Sequence, residues 1–164
     1  LDIKGLRENL NKGDVFFEGN PFIGRTLQTH SGIQDIEKVS MFMSPLSKDE
    51  LTYLLFDEVN ADVENILTDV MRRKLLRRTR KQKSEISLKD LENIERRASS
   101  AFRELQDAHY FDYVIPNHDG EDSENWDAFY YPLGDARKAL LAFVSIIRGE
   151  KCQYCEIWEK ELLG

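Results

Sequence analysis

Three short apolar runs set the strongest limit on what this chain can fold into. Residues 15–17, 39–43 and 111–115 are rich in β-branched, aromatic and sulfur-bearing side chains, and each is stopped by turn residues. The first runs into Glu18-Gly19-Asn20-Pro21, the second into Ser44-Pro45 and the third into Pro116-Asn117. Apolar runs of this kind suit strands covered on both faces. The stretches between them have helical periodicity. Ile3, Leu6 and Leu10 share one helical face, and Gly13 stands where a glycine ends a helix. Ser47-Lys48-Asp49-Glu50 is a capping box, followed by Leu51, Leu54 and Leu55. Val63, Ile66, Leu67, Val70 and Leu75 predict an amphipathic helix over 61–80 that becomes basic at its end. Residues 79–85 read as a flexible connection to a helix over 87–108. Gly134 precedes another helix that ends at Arg148-Gly149, and Ile157, Trp158 and Leu162 predict a short last one.

Short strands separated by helices predict an α/β fold with a parallel sheet, in which ligands gather at the carboxyl ends of the strands. The polar ends at 18–20, 44–46 and 116–118 are therefore expected on one rim. A length of 164 residues, 41% hydrophobic and 32% charged, is that of one soluble globular domain. No run of about 18 apolar residues exists to span a membrane, and no secretory signal is visible, so a cytoplasmic location is expected. The net charge of −7 argues against extended nucleic acid as a partner. Charge is nevertheless segregated. Arg72, Arg73, Lys74, Arg77, Arg78, Arg80, Lys81 and Lys83 crowd one segment, while Asp119, Glu121, Asp122, Glu124 and Asp127 form an acidic one. A cationic patch on an acidic protein suits a small polyanion, with a solvated helix face as the alternative. Cys152-x-x-Cys155 supplies only two of the four ligands a structural zinc needs, so no metal site is expected and the pair reads as two ordinary thiols.

The order of these elements resembles guanylate kinase, a P-loop nucleoside monophosphate kinase, over residues 1–147. "IKGLRENLNKGDVFFEG" is similar to the family's helix, glycine and strand, and "EKVSMFMSPLSKDEL" to its next strand, Pro-Ser step and helix. "LENIERRASSAFRELQDAHYFDYVIPNHD" is the most specific match, resembling the arginine-bearing lid helix and the Phe-Asp-Tyr-Val-x-x-Asn strand. The resemblance implies an incomplete three-layer, parallel-sheet P-loop kinase-like fold over 1–149, a long helical lid over about 60–108, and a C-terminal helical extension at 150–164. It implies phosphoryl transfer from ATP-Mg to GMP or a related acceptor. Arg97 falls on the lid arginine that neutralises the transferred phosphate, a role suited to an always-charged guanidinium. Arg77, Arg78 and Arg80 are candidates for a second lid arginine. Asn117 falls on the strand-end asparagine associated with the ATP base, and Glu18 and Asn20 on the family's acidic strand end.

The chain also departs from the family. "GNPFIG" replaces the usual Asp-x-Gln-Gly run, and no G-x-x-x-x-G-K-[ST] occurs. Without that loop, this chain alone is expected to be inactive and to hold neither ATP nor Mg2+. Leu1 in place of Met fits a processed form or a fragment, with the family's P-loop strand, which the resemblance places between 15–17 and 39–43, supplied by an N-terminal segment or another chain. Two other readings stand beside the enzyme: a catalytically silent guanylate-kinase-like scaffold, and an unrelated α/β protein with a basic helix. Plainer roles stand beside the site residues too. Arg97 can pair with Glu104 or Asp107, Asn117 can cap a turn, and Glu18 can be an ordinary strand-end carboxylate.

Overall fold

The computed structural model describes residues 2–56, 61–120 and 122–163. The chain divides into two compact units after Ser40. The first holds α1 (Ile3–Leu10), α2 (Pro21–Thr29) and a 3-10 turn at Ser31–Ile33. Asp2 caps α1 by accepting from the Gly5 N–H at 3.0 Å. Ile33 is the buried apolar side chain here. Polar contacts hold the rest: the Arg7 guanidinium grips Asp35 at 2.5 and 3.2 Å and donates to the Gly32 carbonyl at 2.8 Å.

The strand expected at 15–17 does not form. These residues are irregular, and Phe16 is 70% exposed. A three-residue apolar run cannot hold an extended shape unless a neighbouring strand takes its backbone groups, and none among the described residues does so. The polar stretch after it opens α2 rather than ending a strand. Asn20 accepts from the Phe22 N–H at 2.8 Å, and Pro21 occupies the first helical turn, where its missing N–H is no loss.

The second unit is built on two parallel strands, β1 (Met41–Ser44) and β2 (Tyr113–Pro116), with Met41 opposite Tyr113 and Ser44 opposite Pro116. Around them lie α3 (Lys48–Phe56), α4 (Val63–Gln82), α5 (Leu88–Gln106) and α6 (Gly134–Ile147). Successive strand side chains point to opposite faces, and β2 uses this fully. Val114 enters a core with Leu51, Leu67, Leu105 and Trp158, and Ile115 enters another with Ala139, Ala142 and Ile146. Each fully buried leucine contributes about 1.5–3 kcal/mol relative to exposure. The doubly covered strand expected at 111–115 is therefore present, shifted toward Pro116. β1 is likewise shifted from 39–43, and its edge away from β2 has no partner strand among the described residues.

Two amphipathic helices, α4 and α5, pack as an antiparallel-type hairpin of long elements around Leu75, Ile94 and Ala98. The expected capping box forms, with Ser47 and Glu50 opening α3, and a second one, not anticipated, opens α5 with Ser87 and Asp90. The connection expected from residue 79 begins later, because α4 continues to Gln82 with Thr79 Oγ1 donating to the Leu75 carbonyl at 2.9 Å. The short last helix is also absent. Residues 150–163 form an irregular strap with one 3-10 turn at Lys160–Leu162. Trp158 and Leu162, four apart, mimic a helical period, but both are anchored in the core beside β2. Glu156 meanwhile spends its backbone on Val114, through two 2.8 Å hydrogen bonds on the outer edge of β2. No helix among the described residues is long and apolar enough to cross a membrane.

Candidate site at the carboxyl ends of the parallel strands

Both strands end in buried polar groups. The Asn117 N–H donates to the Ser44 carbonyl at 2.8 Å, so the two strand ends are tied directly. Ser44 is buried, and its hydroxyl is used locally, donating to the Leu46 carbonyl at 2.5 Å. Asn117 is buried at 7% exposure, and its Oδ1 accepts from the Asp119 N–H at 3.1 Å. The turn-capping role anticipated for Asn117 is thus realised at the strand end itself.

From this point the chain lays down alternating charges. His118 bridges the starts of two helices: its Nε2 lies 2.8 Å from Glu50 on α3 and its Nδ1 2.5 Å from Asp135 on α6. Burial pulls the His118 pKa down, but the hydrogen bonds to Asp135 and Glu50 and their charges prevail and raise it above the ordinary value. Burial pushes Glu50 up, yet the Ser47 N–H, the Ser47 hydroxyl and His118 leave it below the usual carboxylate range. Asp135 is lowered by Lys138, at 2.8 Å, and by His118. Asp119 accepts from the Ala136 N–H at 2.8 Å, from Asn125 at 2.7 Å and from Ser123 at 3.0 Å, fastening the acidic loop to the start of α6. Gly134 makes that approach possible. Its φ is +57°, and a Cβ there would stand 2.9 Å from Asn125 Nδ2 and 3.2 Å from Asp119 Oδ2.

The basic helix α4 borders this cluster. Lys74 Nζ donates to the Asn117 carbonyl at 3.0 Å, and Lys81 Nζ to the Asp122 carbonyl at 2.7 Å. Burial lowers the Lys74 pKa, opposed by the charges of Asp119, Asp122 and Asp135, and the Arg77 guanidinium is near enough to lower it further. One side of α4 therefore carries Lys74 to the strand end and Lys81 to the acidic loop, with the exposed Arg77 between them. Arg72 does not join them. It forks onto Glu95 of α5 at 2.7 Å through both Nε and an NH2 group, which holds its pKa above the ordinary value.

The anticipated site residues fall into three groups. Asn117 lies at the strand end, and Arg77 is exposed on the face of α4 that carries Lys74. Arg80 is exposed on α4, and Arg78 is half-buried. Arg97 is exposed on α5, with its backbone carbonyl accepting from Ser100 Oγ at 3.0 Å. Glu104 pairs with Ser100 rather than with Arg97. Glu18 and Asn20 belong to the first unit, where Glu18 is exposed and Asn20 is committed to capping α2. Of the acidic segment, Glu121 lies outside the described residues, as do residues 57–60. His118, Glu50 and Asp135 were the residues sequence reasoning missed at this site. The available signal was the Asn-His-Asp run immediately past a buried strand.

Three further features complete the surroundings. A depression of about 480 Å3 beyond the acidic loop is lined by Lys81, Asp122, Ser123, Glu124 and Asp127. Three carboxylates against one lysine make it unsuited to a phosphate. Among the described residues, no group of three or more His, Cys, Asp or Glu is arranged to hold a metal ion. Cys152 and Cys155 are joined in a disulfide, so the reading as ordinary thiols is corrected: their Cα atoms stand 5.5 Å apart, within the range a disulfide needs. No protein-family model, curated protein or solved structure matches the chain.

Proposed function

We propose that this chain is the lid and base-side portion of a guanylate-kinase-like phosphotransferase. In the complete protein it acts with a phosphate-loop strand from another segment or chain, and transfers a phosphoryl group from ATP-Mg to GMP or a related acceptor. The observation that carries the reading is the parallel β1–β2 pair ending in buried Asn117, with the basic α4 bordering the same rim. The edge of β1 away from β2, which has no partner strand among the described residues, supports it further, since an edge strand of this kind accepts another strand's backbone groups. In this reading Asn117 positions the base. One of Arg77, Arg78 and Arg80 serves as the second lid arginine, and Arg97 swings in from α5 to neutralise the phosphoryl group as it moves. Such transfer needs little covalent chemistry from the protein, because positioning and charge neutralisation supply the catalysis. The protein then acts where nucleotides are, in the cytoplasm.

A silent nucleotide-binding or scaffold module is the second reading. It is favoured by Asn20, whose side chain is used to cap α2, and by the mutual pairing of Glu50, His118 and Asp135 at the strand ends. Calorimetric titration of the complete protein with ATP tests both readings. An exposed arginine that meets phosphate should contribute about 1.5–3 kcal/mol, whereas an exposed lysine without that contact contributes about 0–1 kcal/mol. Arg97→Ala is therefore expected to weaken ATP far more than Lys89→Ala, with affinity falling as salt rises. Equal, negligible losses would remove Arg97 from the site. Binding without turnover would favour the module.

A further inference from the structure

The chain leaves α6 through Arg148 and Gly149, turns at Gly149 with φ at +65°, and returns along β2 as the strap. The disulfide sits at the start of that return, and Cys152, Tyr154 and Cys155 pack on Ile115, Ala139, Ala142 and Ile146. The residue after the second cysteine is Glu156, the one that bridges Val114 on the outer edge of β2. Its carboxylate reaches further: Oε2 accepts from the Lys48 N–H at 2.9 Å and from Trp158 Nε1 at 2.7 Å. Lys48 opens α3, whose cap Ser47 and third residue Glu50 carry the contact to His118. An unbroken set of contacts thus runs from the disulfide, through Glu156 and the start of α3, to the strand-end cluster. Both cysteines are only half-buried, so a reductant can approach them.

We propose that Cys152 and Cys155 form a redox-modification site whose reduction loosens the strap and, through Glu156, the strand-end cluster. The reductant is a dithiol. One of its thiolates attacks a cysteine sulfur and breaks the S–S bond, giving a mixed disulfide. Its second thiol then displaces the cysteine. Two electrons and two protons pass to Cys152 and Cys155, and the dithiol leaves as its own cyclic disulfide. Opening the ring frees the turn at 153–154, so Glu156 is no longer delivered to Val114 and Lys48 in one geometry. Trp158 and Leu162 remain buried, which confines the loosening to the stretch between α6 and Trp158. This inference does not depend on the nucleotide reading.

The test is amide hydrogen exchange by NMR on the full chain, equilibrated in oxidised or reduced dithiothreitol. Cys152→Ser/Cys155→Ser serves as a permanently open form. Releasing the constraint of so small a ring is expected to speed exchange at the Val114 and Glu156 amides roughly twentyfold. Leu67 and Leu105 amides, in helices that pack on the part of the strap that stays buried at Trp158 and Leu162, should not change, and the titration midpoint of the His118 ring should move between the two states. Return to oxidised dithiothreitol should reverse all of this, except in the serine variant. Identical exchange in both redox states overturns the proposal, as does uniform acceleration across the chain. Two free thiols persisting in oxidised dithiothreitol would also overturn it. Should the serine variant fail to fold, the dithiothreitol comparison on the unaltered chain decides alone.

Discussion

Replacing His118 with alanine should destabilise the second unit in a pH-dependent way, and the structure sets both size and direction. The imidazole makes contacts with Glu50 and Asp135, each within hydrogen-bond reach. Two buried charge-assisted bonds would contribute about 1.5–3 kcal/mol each. The His118 side chain is 45% exposed, however, so solvent screening moves each toward the exposed-pair range of about 0–1 kcal/mol. Glu50 keeps Ser47 and Asp135 keeps Lys138 when the ring is removed, so neither carboxylate is orphaned. The expected loss is therefore about 1–2 kcal/mol while the ring is charged. The folded pKa of His118 is raised above 6.5. Its contribution is thus complete below that unfolded value and declines as pH rises through the folded one. The neutral ring retains a single N–H donor, so part of the effect survives. Urea unfolding of both proteins at about pH 6 and about pH 8.5 should give a stability difference that shrinks at the higher pH. A difference of the same size at both would refute the charged bridge.

Three smaller perturbations follow from the same contacts. Gly134→Ala forces a side chain into a left-handed conformation and against Asn125, and should cost about 1–2 kcal/mol, read by urea midpoint. Gly149→Ala meets no neighbouring atom at the same hand of backbone, so its loss should be the smaller of the two. Ser87→Ala removes one half of the α5 capping box and should lower stability by about 0.5–2 kcal/mol, with reduced helical circular dichroism on heating. Ala98→Leu overfills the contact between α4 and α5, where Ala98 is fully buried, and should cost about 1–3 kcal/mol by the same unfolding assay.

The helices were the most legible part of the sequence because their signals are local. Ser47 and Glu50, Ser87 and Asp90, and the period of Val63, Leu67 and Leu75 each act within one or two turns. The parallel β2 was legible for a similar reason, since a strand buried on both faces must be apolar throughout. Residues 15–17 carry the same local signal and do not form a strand, because pairing depends on a neighbour that the run itself cannot encode. Trp158 and Leu162 misled in the opposite way, with core burial producing a helical spacing in an irregular strap. At the strand ends, Asn117 was visible through its place after a strand. Glu50 and Asp135 were visible only as helix-start residues, and nothing local reveals that His118 brings them together across 68 and 17 positions. The disulfide was hidden because Cys-x-x-Cys is compatible with a bridge, a metal or two thiols.

The proposed role of Arg97 and the basic helix α4 in phosphoryl transfer is measured most directly by turnover. ATP-dependent phosphorylation of GMP should be followed for the complete protein, its Arg97→Ala variant and residues 1–164 alone. If the arginine neutralises the moving phosphoryl group, Arg97→Ala should lower kcat by about 10²–10³-fold, as loss of a transition-state donor does. The KM for GMP should change little, and residues 1–164 alone should show no turnover. Activity of the complete protein that is indifferent to Arg97, or phosphorylation by residues 1–164 alone, would contradict the account.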